Sequence, residues 1–176
     1  MRTARVSAFR TTLGSSALLK IFSGSLPANC AAADPSGLLC TIVLPAVPFS
    51  EVNGIATLAG AWSGIASAWG YAHSFRFYDG YGNCHMQGYA SEPWLPSTPY
   101  VANQQSSNVN GIYVCASPGM SLAAGIGPQG SGVNIQDGSV RWNYVAPAAE
   151  LALASTAILA GQVITIPAFF IEAANA

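Results

Sequence analysis

Gly70-Tyr-Ala-His-Ser-Phe-Arg-Phe-Tyr78, the cluster Asp79-Gly-Tyr-Gly-Asn83 and the return Cys84-His-Met-Gln-Gly-Tyr-Ala90 decide the fold class. Tyr71, His73, Phe75 and Phe77 alternate with Ser74, Arg76 and Tyr78, the two-residue period of a strand. The Asp/Gly cluster supplies the turn, so residues 70–90 read as a β-hairpin. Upstream, Ala17–Ser23 alternates Leu18, Lys20 and Phe22 against Leu19 and Ile21, another strand pattern. A loop from Gly24 to Gly37 then leads into the apolar run Leu38–Leu44, which Pro45 and Pro48 close. Asn53-Gly54 is a turn signal ahead of Ile55–Leu58. Downstream, strands are expected near Val133–Ile135, Val140–Tyr144, Glu150–Leu153 and Val163–Phe170, with Ala160-Gly161 as the last hairpin turn.

At the N-terminus, Val6, Phe9, Arg10 and Leu13 fall at helical spacing, so Thr3–Leu13 is expected to form a short helix stopped by Gly14. Such an arm, carrying Arg2, Arg5 and Arg10, is suited to docking on a neighbour or covering a sheet edge. Residues 92–132 differ in texture: Pro93, Pro96, Pro99 and Pro118, the run Asn103-Gln-Gln-Ser-Ser-Asn108 and several glycines leave one strand-like piece, Gly111–Ala116. That stretch reads as an insertion ordered by packing, because long structureless loops are uncommon in compact domains. The expectation is a single all-β domain over residues 1–176, with residues 1–14 as arm and 92–132 as loop-rich insertion. About eight short antiparallel strands at this spacing imply a β-sandwich or jelly-roll-like barrel. The 18 glycines and 11 prolines argue against a helical bundle.

Charge is scarce. The 176 residues hold six Lys or Arg and seven Asp or Glu, where an average composition would supply roughly 44 charged side chains. A folded monomer of this size exposes on the order of 8,000 Å², so charges fall about one per 600 Å², far below an ordinary monomer's surface density. Obligate interfaces have this character, depleted in charge and enriched in aromatic residues. The expectation is therefore an oligomer whose outside is largely shared with other subunits. The formal net charge of −1 removes the electrostatic case for nucleic acid or an anionic membrane as partner. Leu151–Ile171 is the nearest candidate for a membrane span, but Ser155, Thr156, Gly161, Gln162, Thr165 and Pro167 interrupt the about 20 apolar residues a span needs. Thr11, Thr12, Gly14, Ser15 and Ser16 likewise leave no apolar core of a signal peptide after the N-terminal arginines.

No residue is assigned a catalytic, cofactor-binding or metal-binding role from the sequence, and no cofactor is expected. Cys30, Cys40, Cys84 and Cys115 contain no Cys-x-x-Cys spacing and allow three pairings. Free, partly buried thiols are favoured, with Cys30–Cys40, across one loop, as the bridge favoured should oxidation occur. Cys84-His85-Met86 combines copper-binding residue types, but a strand sends His85 to the face opposite Cys84 and Met86. His73 has the chemistry of a general base, yet alternates with Tyr71 and Phe75 as a packed histidine does. Asp34, Glu51, Asp79, Glu92, Asp137, Glu150 and Glu172 mark no pair of the kind a glycosidase holds about 5–9.5 Å apart. Gly125-Ile-Gly127 and Gly130-Ser-Gly132 lack the lysine and helix of a phosphate loop. Trp62, Trp69, Trp94 and Trp142 suit cores and interface hot spots. Trp94, Tyr100 and Tyr113 of the insertion define a rival reading, a carbohydrate-binding adsorption module.

Three segments together resemble a family. They are Leu19–Pro27 followed by Gly37–Leu44, then Asn53–Thr57 with Gly70–Asp79 and Gly82–Gly88, and finally Glu150–Ile166. The chain is similar, over roughly residues 1–90 and 133–173, to a set of small, mostly uncharacterised virion structural proteins of tailed bacteriophages and prophages. The resemblance implies a β-sandwich particle component, with no catalytic residue to carry over. It implies residence in the virion after assembly in the host cytoplasm, with copies of itself and major capsid or other virion proteins as partners. Decoration or cementing of the capsid is the leading expectation, and a neck, tail or baseplate position the alternative. Residues 92–132 exceed the family pattern in length, and the N-terminal helix is shorter than usual there.

Overall fold

The computed structural model describes residues 2–52, 55–147, 149 and 151–172, and side chains within 7–51, 55–147, 149 and 151–169. The Asn53-Gly54 turn and Glu150 lie outside the described residues. Helix α1 (Arg2–Leu13) is followed by β1 (Leu18–Phe22), β2 (Leu38–Val43), β3 (Phe49–Val52), β4 (Ile55–Leu58), β5 (Ser63–Ile65), β6 (Gly70–Tyr71), β7 (Ser74–Tyr78) and β8 (Cys84–Pro93). The second half supplies β9 (Pro99–Tyr100), β10 (Gln105–Asn108), β11 (Gly111–Ser117), β12 (Gly119–Met120), β13 (Ile135–Asp137) and β14 (Val140–Ala146). It ends with β15 (Leu151–Ala152), β16 (Ala157–Ile158), β17 (Val163–Thr165) and β18 (Ala168–Glu172).

The protein is all-β and sandwich-like, and among the described residues no ladder closes it into a barrel. One layer runs β2-β1-β7-β8, all antiparallel, with Leu19 opposite Phe77 and Phe77 opposite Met86. The facing layer runs β15-β18-β4-β3. Strand β8 belongs to both, because its far end pairs with β15 in parallel, Ala90 beside Leu151. Alternation in β1 and β7 turns Leu19, Ile21, Phe75 and Phe77 inward, where they meet Phe49, Trp62 and Phe169 from the other side. Phe77 is the hub. Its ring lies 5.2–6.1 Å from those of Phe9, Phe49, Trp62, Phe75 and Phe169, each within range of favourable edge-on or tilted packing.

The helix forms as expected and ends at Gly14, whose φ of +69° suits a residue without a Cβ. Its apolar side faces this molecule's own core: Phe9 packs on Phe49 at 5.8 Å, and Leu13 is buried. Ser7 Oγ donates to Glu51 at 2.6 Å, and Arg10 lies 3.6 Å from the same carboxylate. Of the two roles expected of the arm, the structure shows the covering of a sheet edge, with Arg10 held against β3, the last strand of its sheet.

Three further expectations change. The strands are more numerous than eight and not all antiparallel, because β10 and β15 both run parallel to β8 where the chain leaves and re-enters the sandwich. Ala160-Gly161 does sit in a turn, with Gln162 N–H donating to the Leu159 carbonyl, but the arms pair elsewhere, β16 with β6 and β17 with β5. Finally, residues 92–132 are only part of the added structure. Tyr100, Tyr113, Cys115, Val140 and Trp142 form a second core, so the strands beyond residue 132 complete the same lobe through β14. Its chains pass closely enough that a Cβ on Gly119 would stand 2.5 Å from the Ser139 carbonyl.

Truncating the hub, Phe77→Ala, is expected to cost about 3–5 kcal/mol of stability through lost transfer energy and a cavity, read as a lower urea midpoint with an unchanged slope.

Candidate interaction surface

Residues 52–75 and 151–171 are two of the chain's charge-free stretches, with no Asp, Glu, Lys or Arg. The fold lays one against the other through β5–β17, β6–β16 and β4–β18. Opposed residues of an antiparallel pair share a face, so Ile65 and Val163 stand side by side on the outside, 68% and 63% exposed. Ile164, next to Val163 on the same strand, turns into the core. The turn at Leu159–Gln162 is fastened beside this pair by Gly161 N–H to the Ala66 carbonyl and Ala66 N–H to the Gln162 carbonyl, both 2.8 Å. Leu159 and Trp69, 69% and 77% exposed, border a hollow of about 80 Å³ shared with Tyr71 and Ile158. Among the described residues β17 has β5 as its sole ladder partner, leaving its other edge open. An uncharged apolar strip on an open edge is what a soluble monomer ordinarily avoids.

The acidic groups are spent inside the molecule. Arg76, 1% exposed, donates to Asp34 Oδ1 at 2.9 Å, to the carbonyls of Ala32 and Asn29 at 3.0 and 2.8 Å, and to Gln87 Oε1. Tyr78 OH also donates to Asp34, and Lys20 lies 3.2 Å from it. Burial raises the Asp34 pKa, but these three donors outweigh it and hold the carboxyl below the usual range. Asp79 accepts from His85 Nε2, Asn83 Nδ2 and the N–H groups of Tyr81 and Asn83, all at 2.9 Å. The histidine, then Asn83, hold its carboxyl well below the usual carboxylate range.

Glu92, buried where β8 enters the lobe, accepts from the Thr156 N–H at 2.6 Å and from Gln104 Nε2. Asp137 accepts from both indoles of the lobe, Trp94 at 2.8 Å and Trp142 at 3.1 Å. Each described carboxylate therefore secures a turn, a loop, a helix or a seam. The Glu172 side chain, like Glu150, lies outside the described residues.

The residues singled out for chemistry separate. Cys84 faces Cys30, His85 faces Asp79, and Met86 packs against the sandwich core. The His85–Asp79 pair organises the hairpin turn, and among the described residues no Ser, Thr or Cys donates to His85. His73 Nε2 lies 2.7 Å from the Asn103 carbonyl, which can only accept, so that nitrogen carries the hydrogen. It lines a cavity of about 370 Å³ between sandwich and lobe with Ser25, Tyr89 and Gln105. Among the described residues no three His, Cys, Asp or Glu side chains gather as a metal site. The sugar platform is corrected: Tyr100 and Tyr113 are buried in the lobe core and Trp94 is half-buried against Asp137, so the trio offers no open stacking face. Sequence reasoning missed Ile65, Leu159 and Val163. The signal available was the absence of charge from residues 52–75 and 151–171, but only the strand pairing shows that these two stretches converge.

Comparison with known proteins is negative: no family model matches the chain, and no curated protein or solved structure matches it significantly.

Lowered carboxyl pKa values make the folded state bind fewer protons than the unfolded chain, where Asp titrates near 3.8. The contributions of Asp34 and Asp79 are complete above that value and decline as pH falls below it. The urea midpoint should drop between about pH 4 and pH 2, and Asp79→Asn, less stable at neutral pH, should flatten that drop.

Proposed function

We propose that this chain is a structural subunit of a bacteriophage particle, a decoration or cement protein of the head that acts by packing rather than by chemistry. The observation that carries the reading is the strip of Ile65, Trp69, Leu159 and Val163, exposed and free of charge on an open-edged strand pair. The surface of 8639 Å² is served by few ionised groups, and several of those face inward. Repeated subunits bury such a strip by symmetry, many moderate contacts summing to a stable shell. The resemblance of the sandwich segments to tailed-phage virion proteins supports the particle assignment. The lobe would then be the part that distinguishes this chain's contacts.

Sedimentation of the purified chain tests the reading, together with its binding to heads from a particle that lacks it. Oligomers at micromolar concentration and saturable binding to heads are expected. The double variant Ile65→Lys/Val163→Lys, folded by circular dichroism, should weaken association by more than about tenfold, as loss of an interface centre does. A wild-type chain that stays single at high concentration and leaves the heads bare overturns the proposal. A double variant that associates as well as wild type overturns the role of the strip.

A further inference from the structure

Cys30 sits in the loop between β1 and β2, and Cys84 opens β8 directly after the hairpin turn. The fold brings their sulfurs to 2.7 Å, closer than two unbonded thiols pack, although 54 residues separate them. Their approach is built, not incidental. Arg76 grips the loop on both sides of Cys30 through the Asn29 and Ala32 carbonyls. Asn29 Oδ1 accepts from the N–H groups of Ala31 and Ala32, and Gln87 Nε2 donates to the Pro27 carbonyl at 2.5 Å. Both cysteines are half-buried, within reach of a small oxidant. The other two have no such partner. Cys40 is buried in the sandwich core and Cys115 in the lobe core, where burial raises both thiol pKa values.

We propose that Cys30 and Cys84 are a disulfide-forming pair that locks the 24–37 loop over the outer face of the β1-β7-β8 layer once the protein meets an oxidising environment. The expected bridge therefore differs from Cys30–Cys40, which the burial of Cys40 disfavours. A low-molecular-weight disulfide is the oxidant. Burial, then the adjoining thiol, push Cys84 up to about 12, and with Cys30 as the attacking residue the exchange runs in two steps. The Cys30 thiolate attacks the oxidant, forms a mixed disulfide and expels one thiolate. Cys84, giving its proton to solvent, then attacks the Cys30 sulfur and expels the second thiolate. Two protein thiols lose two electrons and two protons, and one oxidant disulfide becomes two thiols. A cross-link spanning so long a segment stabilises chiefly by constraining the unfolded chain.

The full chain, purified reduced, is treated with oxidised glutathione and followed by intact mass, non-reducing peptide mapping and thermal melting. The expected product is about 2 Da lighter, links the Cys30 and Cys84 peptides, and leaves Cys40 and Cys115 open to alkylation after unfolding. Its melting temperature should rise by roughly 5–10 °C over the reduced form. Cys30→Ser and Cys84→Ser should abolish the rise, and the remaining partner should stop at the glutathione adduct. Wild-type protein that keeps four alkylatable thiols, stalls as an adduct, or links either residue to Cys40 or Cys115 overturns the proposal. A correctly linked protein that melts with the reduced one overturns the locking role.

Discussion

A guanidinium that is 1% exposed constrains everything around it. Arg76 lies on β7 between Phe75 and Phe77, whose rings face the aromatic core, so its own side chain must leave on the opposite face. Left there without partners, a buried charge would cost several kcal/mol. The loop between β1 and β2 supplies the partners by folding back over the sheet and offering two carbonyls and Asp34. Tyr78, next but one along the strand, reaches the same carboxylate. The hairpin strand thus becomes central in two senses, buried on one side by oil and on the other by a satisfied polar network. The loop's Cys30 arrives beside Cys84 as a consequence.

The lobe is built on a different economy. Its small core of two tyrosines, a tryptophan, a valine and a cysteine would be marginal alone, since small cores bury too little surface. A polar seam joins it to the sandwich: Gln105 Nε2 donates to the His73 and Ala90 carbonyls, Ser106 Oγ to the Glu92 carbonyl, and Glu92 receives Thr156. Buried polar groups of this kind are tolerable only when each finds a partner. Such partners are directional, so the seam sets the lobe's position rather than merely its attachment.

Both arrangements draw on the same scarce supply. Asp34, Glu51, Asp79, Glu92 and Asp137 are committed to internal hydrogen bonds, as is Arg76 on the basic side, and Arg10 is ion-paired to Glu51 at 3.6 Å. The solvent face is therefore even poorer in free charge than composition implies, and apolar residues of β5, β17 and the adjoining turn are what it presents instead. Internal order and outward stickiness are two results of one allocation, which is why the assembly reading and the folding account support each other.

Strands whose neighbours are local and whose alternation is clean were legible from residue order: β1, β2, β4 and the β7–β8 hairpin, together with the helix and its Gly14 stop. Periodicity and turn chemistry act within a few residues, and those few residues carried them. Strand β10, Gln-Ser-Ser-Asn, was illegible because its buried polar groups make sense only beside Glu92 and Thr156. The Ala160-Gly161 turn was visible, but not that its two arms pair with β5 and β6. The cysteines showed their number and spacing, while choosing Cys84 for Cys30 required the loop to be folded back by Arg76. By itself, then, residue order determined an all-β chain too sparsely charged for an ordinary surface. Tertiary structure alone decided which uncharged side chains meet on the outside, because convergence of distant segments is a property of packing and not of sequence spacing.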